Sequence, residues 1–146
     1  MTDARRRAPR LVFLTTSAER QMRRWIARRG AGQAGHGISA AGCGVLLHLA
    51  DHPGATIGEV TAALQASPAG TSGLLARMEG AGLVRRRADP DDHRTVRLDL
   101  TPAGTAALTD VRGALAELNA RLTDGFSPDE LAVVARWLEH ATRALR

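Results

Sequence analysis

The sequence has no lysine, no tyrosine and one cysteine, and only two tryptophans and two phenylalanines in 146 residues. A single cysteine, Cys43, excludes an intrachain disulfide and leaves an intermolecular or free-thiol role. Its neighbours Ala41, Val45 and Leu46 are apolar and no basic residue stands beside it, a setting for core packing rather than for a reactive thiolate. So few aromatics mean a core of Leu, Val and Ala, for which an apolar fraction of 44% is sufficient. No apolar run reaches about eighteen residues, so no membrane span is expected and the chain reads as cytoplasmic. Arg5-Arg6-Arg7 followed by Leu11-Val12-Phe13-Leu14 has the order of a signal peptide, but its apolar run is too short. Phosphate-loop, nucleophile-elbow and metal-hydrolase motifs are missing. Asp91-Asp92-His93 can be imagined as an acid/base cluster, yet it falls on a turn with no cleft around it. These absences argue against an enzyme and imply no catalytic residue, cofactor or metal.

What is present is arginine. All twenty basic residues are Arg against fifteen acidic ones, for a formal charge of +5 and an isoelectric point near 11.2. That balance favours a polyanionic partner. The lack of Lys itself reads as a compositional bias of the genome rather than a requirement for guanidinium chemistry. The length fits one domain, or one domain with dimerisation arms.

The organising stretch runs from Thr56 to Leu100. Thr56 with Glu59 three residues on has capping-box spacing, and Ile57, Val60 and Leu64 follow at helical intervals. Ser67-Pro68 repeats the start signal, and Leu74, Leu75 and Met78 give a second helix its inward stripe before Gly82 ends it. Two short helices joined by a turn of two or three residues form a helix-turn-helix, whose second helix can lie in a DNA major groove. After Gly82 the period becomes two: Leu83-Val84 opens one strand, and Val96, Leu98 and Leu100 share one face of the next. The tip, Ala88 to Arg94, is too rich in turn formers and charge to be packed inside. Arg85, Arg86, Arg87, Arg94 and Arg97 flank or occupy it, and a guanidinium on a projecting loop can enter a minor groove or pair with phosphate. Asp92, two positions before Arg94, is placed to hold that guanidinium in one orientation.

Gly82-Leu83-Val84-Arg85-Arg86, then Asp92-His93-Arg94-Thr95, then Leu98-Asp99-Leu100-Thr101-Pro102-Ala103-Gly104 stand in the order and spacing of the wing of MarR-type transcription regulators. Residues 38–104 resemble that family by motif, and the flanking helices by pattern. The resemblance implies a mainly α fold with a small β-hairpin wing, a winged helix-turn-helix with helical dimerisation arms. It implies double-stranded DNA as partner, a homodimer built from the first and last helices, and a small-molecule effector in a crevice where those helices meet the winged domain. Met22, Trp25, Val45, His48 and Leu108 are candidates to line that crevice, with ordinary core as the competing reading. Some relatives sense zinc or oxidants, but His48 and His52 lack companion ligands and Cys43 reads as core.

In chain order, residues 1–8 are expected to be a disordered basic arm, and residues 9–37 a dimerisation helix and connector. Within the latter, Leu11, Leu14, Ala18, Met22, Trp25 and Ile26 share a face and Gly30 stops the run; a later start with Thr16 as cap and Glu19 as its partner is equally defensible. Residues 38–101 hold the winged helix-turn-helix, beginning with a supporting helix capped by Ser39 and ended by His52-Pro53-Gly54. Residues 102–146 hold a long helix and a final one. Leu108, Val111, Leu115, Leu118 and Leu122 repeat like a coiled-coil seam. Ser127-Pro128-Asp129-Glu130 is a further capping box before Leu131, Val134, Leu138, Ala141 and Leu145. These stripes are more than one subunit can bury, which points to a second copy.

The expected DNA contacts are Ser67, Ala69, Gly70, Thr71, Ser72 and Arg77 on the recognition helix, and Arg86, His93, Arg94 and Thr95 on the wing, with Asp92 bracing it. The helix surface is unusually bare: Gly73 stands where the family often carries a long polar side chain. Sequence preference is therefore expected to lean on the wing and on DNA shape. The reading is a ligand-responsive dimeric repressor on a pseudo-palindromic operator; the alternative is an architectural or partner-binding winged-helix protein with little sequence specificity.

Overall fold

The computed structural model describes residues 10–32 and 38–145. The expected basic arm at 1–8 and most of the glycine-rich connector, 33–37, lie outside the described residues. Among the described residues, six helices and three strands follow in the order α1 (Leu11–Gly32), α2 (Ala40–Asp51), β1 (Ala55–Thr56), α3 (Ile57–Leu64), α4 (Pro68–Gly80), β2 (Val84–Ala88), β3 (Val96–Leu100), α5 (Pro102–Thr123) and α6 (Pro128–Ala144). The chain divides into two compact units, Met1–Arg112 and Gly113–Arg146, and the division falls inside α5.

Each short helix of the first unit begins where a side chain meets its unpaired N–H groups. Ser39 Oγ accepts from Gly42 N at 3.1 Å, and Ser67 Oγ accepts from Gly70 N at 3.1 Å. Thr56 and Glu59 close a reciprocal capping box, Glu59 N donating to Thr56 Oγ1 at 3.2 Å and Thr56 N to the Glu59 carboxylate at 2.6 Å. The Thr56 N–H, with the Thr56 side chain beside it, holds the Glu59 carboxyl below its ordinary pKa. Gln65, the C-cap of α3, adopts a left-handed conformation (φ 50°), which turns the chain sharply into α4.

The core is aliphatic, as the aromatic shortage requires. Val45, Leu46 and Leu49 of α2, Val60 of α3, Leu75 of α4, Leu83 beside β2 and Leu98 of β3 are almost completely buried. Each contributes about 1.5–3 kcal/mol relative to exposure. The sheet is antiparallel in the order β1-β3-β2. Its third strand, β1, is only two residues long, too short to show any alternation in sequence, and pairs Ala55 with Leu98 and Thr56 with Arg97. In β2 and β3 the register sets Val84 opposite Leu100, Arg86 opposite Leu98 and Ala88 opposite Val96, so these lie on one face of the hairpin, which is buried at Val84 and Leu98 and open at Arg86 and Ala88.

The wing closes onto α5 through a close backbone approach. Thr101 N donates to Leu83 O at 3.1 Å, Thr101 Oγ1 donates to Gly82 O, and Gly104 N donates to Thr101 Oγ1 at 2.9 Å. A Cβ on Gly104 would lie 2.0 Å from the Leu83 carbonyl oxygen, so only glycine fits. Gly82 turns the chain with φ +72°, a left-handed conformation that glycine adopts without strain.

Three sequence expectations are corrected. Helix α1 starts at Leu11 and runs through Gly30 to Gly32. One glycine costs a helix about 1 kcal/mol relative to alanine, which does not stop it. Thr16 does not cap it: its hydroxyl donates back to the Val12 and Phe13 carbonyls from inside the helix. The tip is not wholly outside, because Asp89 is buried, at 7% exposure. The leucine repeat of α5, by contrast, is not contradicted by the single chain: Leu108 and Val111 are buried, Leu115 and Leu118 are half-buried and Leu122 is exposed. The two buried positions lie in the turns that follow the wing contact at Gly104, within the first unit.

In the second unit, Ser127 and Glu130 form the expected capping box, with Glu130 N donating to Ser127 Oγ at 3.3 Å and Ser127 N to the Glu130 carboxylate at 2.9 Å. Helix α6 buries no residue, and Val133, Val134 and Leu138 are each about half exposed. Among the described residues, no helix is long and apolar enough to cross a membrane.

Candidate nucleic-acid interface

Helix α4 carries two faces. Thr71, Leu74, Leu75 and Met78 point inward, and Ser67, Ala69, Gly70, Ser72, Ala76 and Arg77 are exposed. Thr71 is therefore a correction to the expected contact residues. It occupies the inward stripe at 1% exposure, and its hydroxyl donates to Ser67 O at 3.1 Å, which satisfies it locally. Gly73 is half-buried, and the Arg77 guanidinium lies over it, 3.7 Å from where a Cβ would stand. The bare middle of the helix thus has an arginine head group lying along it.

The wing arginines divide by partner. Arg86 Nε donates to Glu79 at 2.9 Å and ties β2 to the end of α4; Arg87 Nε donates to Asp99 at 2.5 Å across the hairpin; Arg97 Nε donates to Asp89 at 2.6 Å. Arg85, His93 and Arg94 are exposed, and among the described residues the Arg94 side chain is in no ion pair.

The tip is an ordered turn. Asp92 Oδ1 accepts from Arg94 N at 3.1 Å and Asp92 Oδ2 from the Thr95 hydroxyl at 2.9 Å. Asp92 therefore meets the backbone of Arg94 rather than its guanidinium. The bond from Arg94 N to a carboxylate oxygen two positions upstream is that of an Asx turn, which satisfies a main-chain donor. Thr95, half-buried, spends its hydroxyl on that turn. Arg86 and Thr95, both expected to touch DNA, hold the wing's shape as well.

Asp89 is the residue that sequence reasoning missed. Nothing in its charge or turn context distinguishes it from Asp91 and Asp92; its burial follows only from β-pairing of the strands on either side.

Among the described cavities, none is lined by more than one of the five residues expected to line an effector crevice. Met22 lines a cleft of about 570 Å³ with Arg23, Ile26, Leu64, Leu74 and Arg77. His48 borders a separate hollow with His52, Glu59 and Arg97. Val45 and Leu108 are core at 0% and 4% exposure, and Trp25 is half-buried on α1 under the Arg29 guanidinium. Periodicity placed Met22, Trp25, Val45 and Leu108 on inward faces but could not say which inward faces meet. The His48 and His52 rings stack at 4.5 Å with planes 17° apart, so their lone pairs do not converge as a shared metal ion would need. Cys43 is buried and burial pushes its thiol pKa up, against thiolate chemistry.

Residues 36–95 match the model of the MarR family. A crystallised MarR family transcription regulator is 30% identical and superposes with a TM-score of 0.81, covering 92% of this chain and 87% of that one. The chain belongs to the MarR family. That family consists of transcription regulators rather than enzymes. The uncharacterized HTH-type transcriptional regulator YsmB of Bacillus subtilis (strain 168) is 31% identical over 83 residues, 57% of each chain, so this sequence matches little more than half of that relative's length. The MarR fold is shared with the S. aureus MepR–DNA complex, at a TM-score of 0.82 and 21% identity over 92% of this chain and 96% of that one. It is shared also with Bordetella bronchiseptica BpsR, described with regulation of its DNA binding by 6-hydroxynicotinic acid, at 0.80 and 21% over 92% and 94%.

Proposed function

We propose that this MarR-family chain is a sequence-specific DNA-binding repressor that acts as a homodimer on a roughly palindromic operator and is released by a small-molecule effector. The observation that carries the reading is the pairing, in one compact unit, of an exposed small-residue helix face with a wing whose tip presents an unpaired arginine. Ser72 and Arg77 serve base edges in the major groove, and the Ala69 methyl suits a thymine methyl. Ser67 and Gly70, at the N-terminus of α4, suit phosphate. Arg94, with His93 beside it, suits the minor groove. The S. aureus MepR–DNA complex has the same fold and supports this assignment.

The homodimer is supported by α6, whose apolar residues are half exposed. The effector reading is supported by the cleft of about 570 Å³, which Arg77 and Gly70 of the recognition helix share with Met22, Ile26 and Leu64. An occupant that fits the cleft in one position of α4 better than in another shifts the balance between DNA-compatible and incompatible states. BpsR, of the same fold, is described as regulated in this general way.

Selection of bound duplexes from a randomised library, at near-physiological salt with nonspecific competitor, tests the reading. An enriched inverted repeat with half-sites about 10 bp apart is expected. Salt-sensitive binding without enrichment would favour the architectural alternative, in which the bare recognition helix specifies no site.

A further inference from the structure

We infer that Asp89 is a positioning residue for DNA binding: with Arg97 it latches the wing so that Arg94 is presented in a fixed place. The inference rests on the wing contacting DNA and goes beyond it. Asp89 is buried at 7% exposure in a tip that is otherwise exposed from Pro90 to Arg94. Its Oδ1 accepts from Asp91 N at 2.8 Å and Asp92 N at 3.3 Å, and its Oδ2 accepts from Arg97 Nε at 2.6 Å. Arg97 Nη1 in turn donates to Gly54 O at 3.1 Å, in the turn that leads from α2 into β1. Gly54 N donates to Leu98 O at 3.0 Å, which fastens that turn to the middle of β3.

The contacts form two nested clamps. Asp89 holds the backbone of Asp91 and Asp92, and Asp92 holds the backbone of Arg94 and the hydroxyl of Thr95. In each clamp a carboxylate accepts at least one main-chain N–H, a charge-assisted and therefore stronger bond: two N–H groups at Asp89, and one N–H plus a hydroxyl at Asp92. Asp89 itself faces the hairpin, so it acts through Arg94.

The sign of its effect separates a latch from a charge. Removing a carboxylate from a protein that binds a polyanion tightens binding if charge alone matters. A latch predicts the opposite. On a duplex enriched by the wild-type protein, Asp89→Ala is expected to weaken binding about tenfold, as Arg94→Ala does, and the double variant to bind no more weakly than Arg94→Ala alone, because residues acting as a unit are non-additive. In the free protein, amide exchange at Asp91 and Asp92 is expected to speed up while the α4 amides keep their protection. Unchanged or tighter binding, additive losses, or unaltered exchange at the tip would each overturn the latch. Should Asp89→Ala fail to fold, Asp89→Asn, which keeps an acceptor but loses the ionic pairing with Arg97, is expected to give a smaller change in the same directions. A wild-type protein that bound no duplex at all would sink the DNA-binding reading, and with it the role of the latch in presenting Arg94. The exchange data would still report whether Asp89 orders the tip.

Discussion

Arg94 and Asp89 stand five positions apart in one turn and have opposite fates, and local bonding decides which. Arg94 keeps its guanidinium outside while its N–H is fixed by Asp92. Arg94→Ala is therefore expected to cost about 1–3 kcal/mol of operator affinity at matched salt without changing the melting temperature. Unchanged binding in a titration would remove the tip from the interface. Asp89 shows a different signature, in pH. Bonds from Asp91 N and from Arg97 hold its pKa below the ordinary carboxylate value. A carboxyl whose folded pKa is depressed adds stability above its unfolded pKa, near pH 4, and loses it as pH falls through the folded value. Denaturant midpoints taken from pH 7 down to pH 3 should fall more gently for Asp89→Asn than for the wild type; parallel curves would show that Asp89 is not coupled to folding. At Gly104 the constraint is steric, a Cβ meeting the Leu83 carbonyl. Gly104→Ala is expected to destabilise by about 1–3 kcal/mol or more, read as a lower denaturation midpoint, and an unshifted midpoint would contradict the close approach.

At the scale of elements, what could be read in the sequence was whatever is governed by neighbours within about four residues. Ser39, Thr56, Ser67 and Ser127 all cap the helices they precede, and two of the four close full capping boxes. Ser127→Ala should cost about 1 kcal/mol, visible as earlier fraying of the α6 amides in hydrogen exchange; identical protection would mean that Pro128 and packing set that helix start alone. The hairpin was legible too, because Val96, Leu98 and Leu100 alternate and Gly82 punctuates. Pairings over long separations were not. Strand β1 depends on Ala55 meeting Leu98, and the burial of Asp89 depends on Arg97 across the hairpin. Thr71 was misread as an outward residue because a small polar side chain carries little directional signal. Its position three residues before Leu74 placed it on the apolar stripe, and that spacing was the better guide.

For the whole molecule, the unresolved cost is apolar surface. Helix α6 has an excellent cap and an amphipathic pattern, yet none of its residues is buried. In the proposed homodimer, a second copy covering Val134 and Leu138 would remove that surface from water. Because both are about half exposed in the single chain, Leu138→Glu is expected to shift the sedimenting species from dimer to monomer while far-ultraviolet dichroism stays unchanged. A dimer of undiminished stability would place the interface elsewhere. In the proposed dimer, two-fold symmetry would set two copies of α4 against successive major-groove faces with a wing outside each.

The most direct measurement is a hydroxyl-radical footprint of the wild type and of Arg94→Ala on the enriched duplex. The wild type should protect two symmetric central segments with an outlying minor-groove protection on each side, and Arg94→Ala should lose the outlying pair while keeping the centre. A single unsymmetrical footprint, or outlying protection that survives in Arg94→Ala, would contradict a dimer reading DNA with helix and wing together.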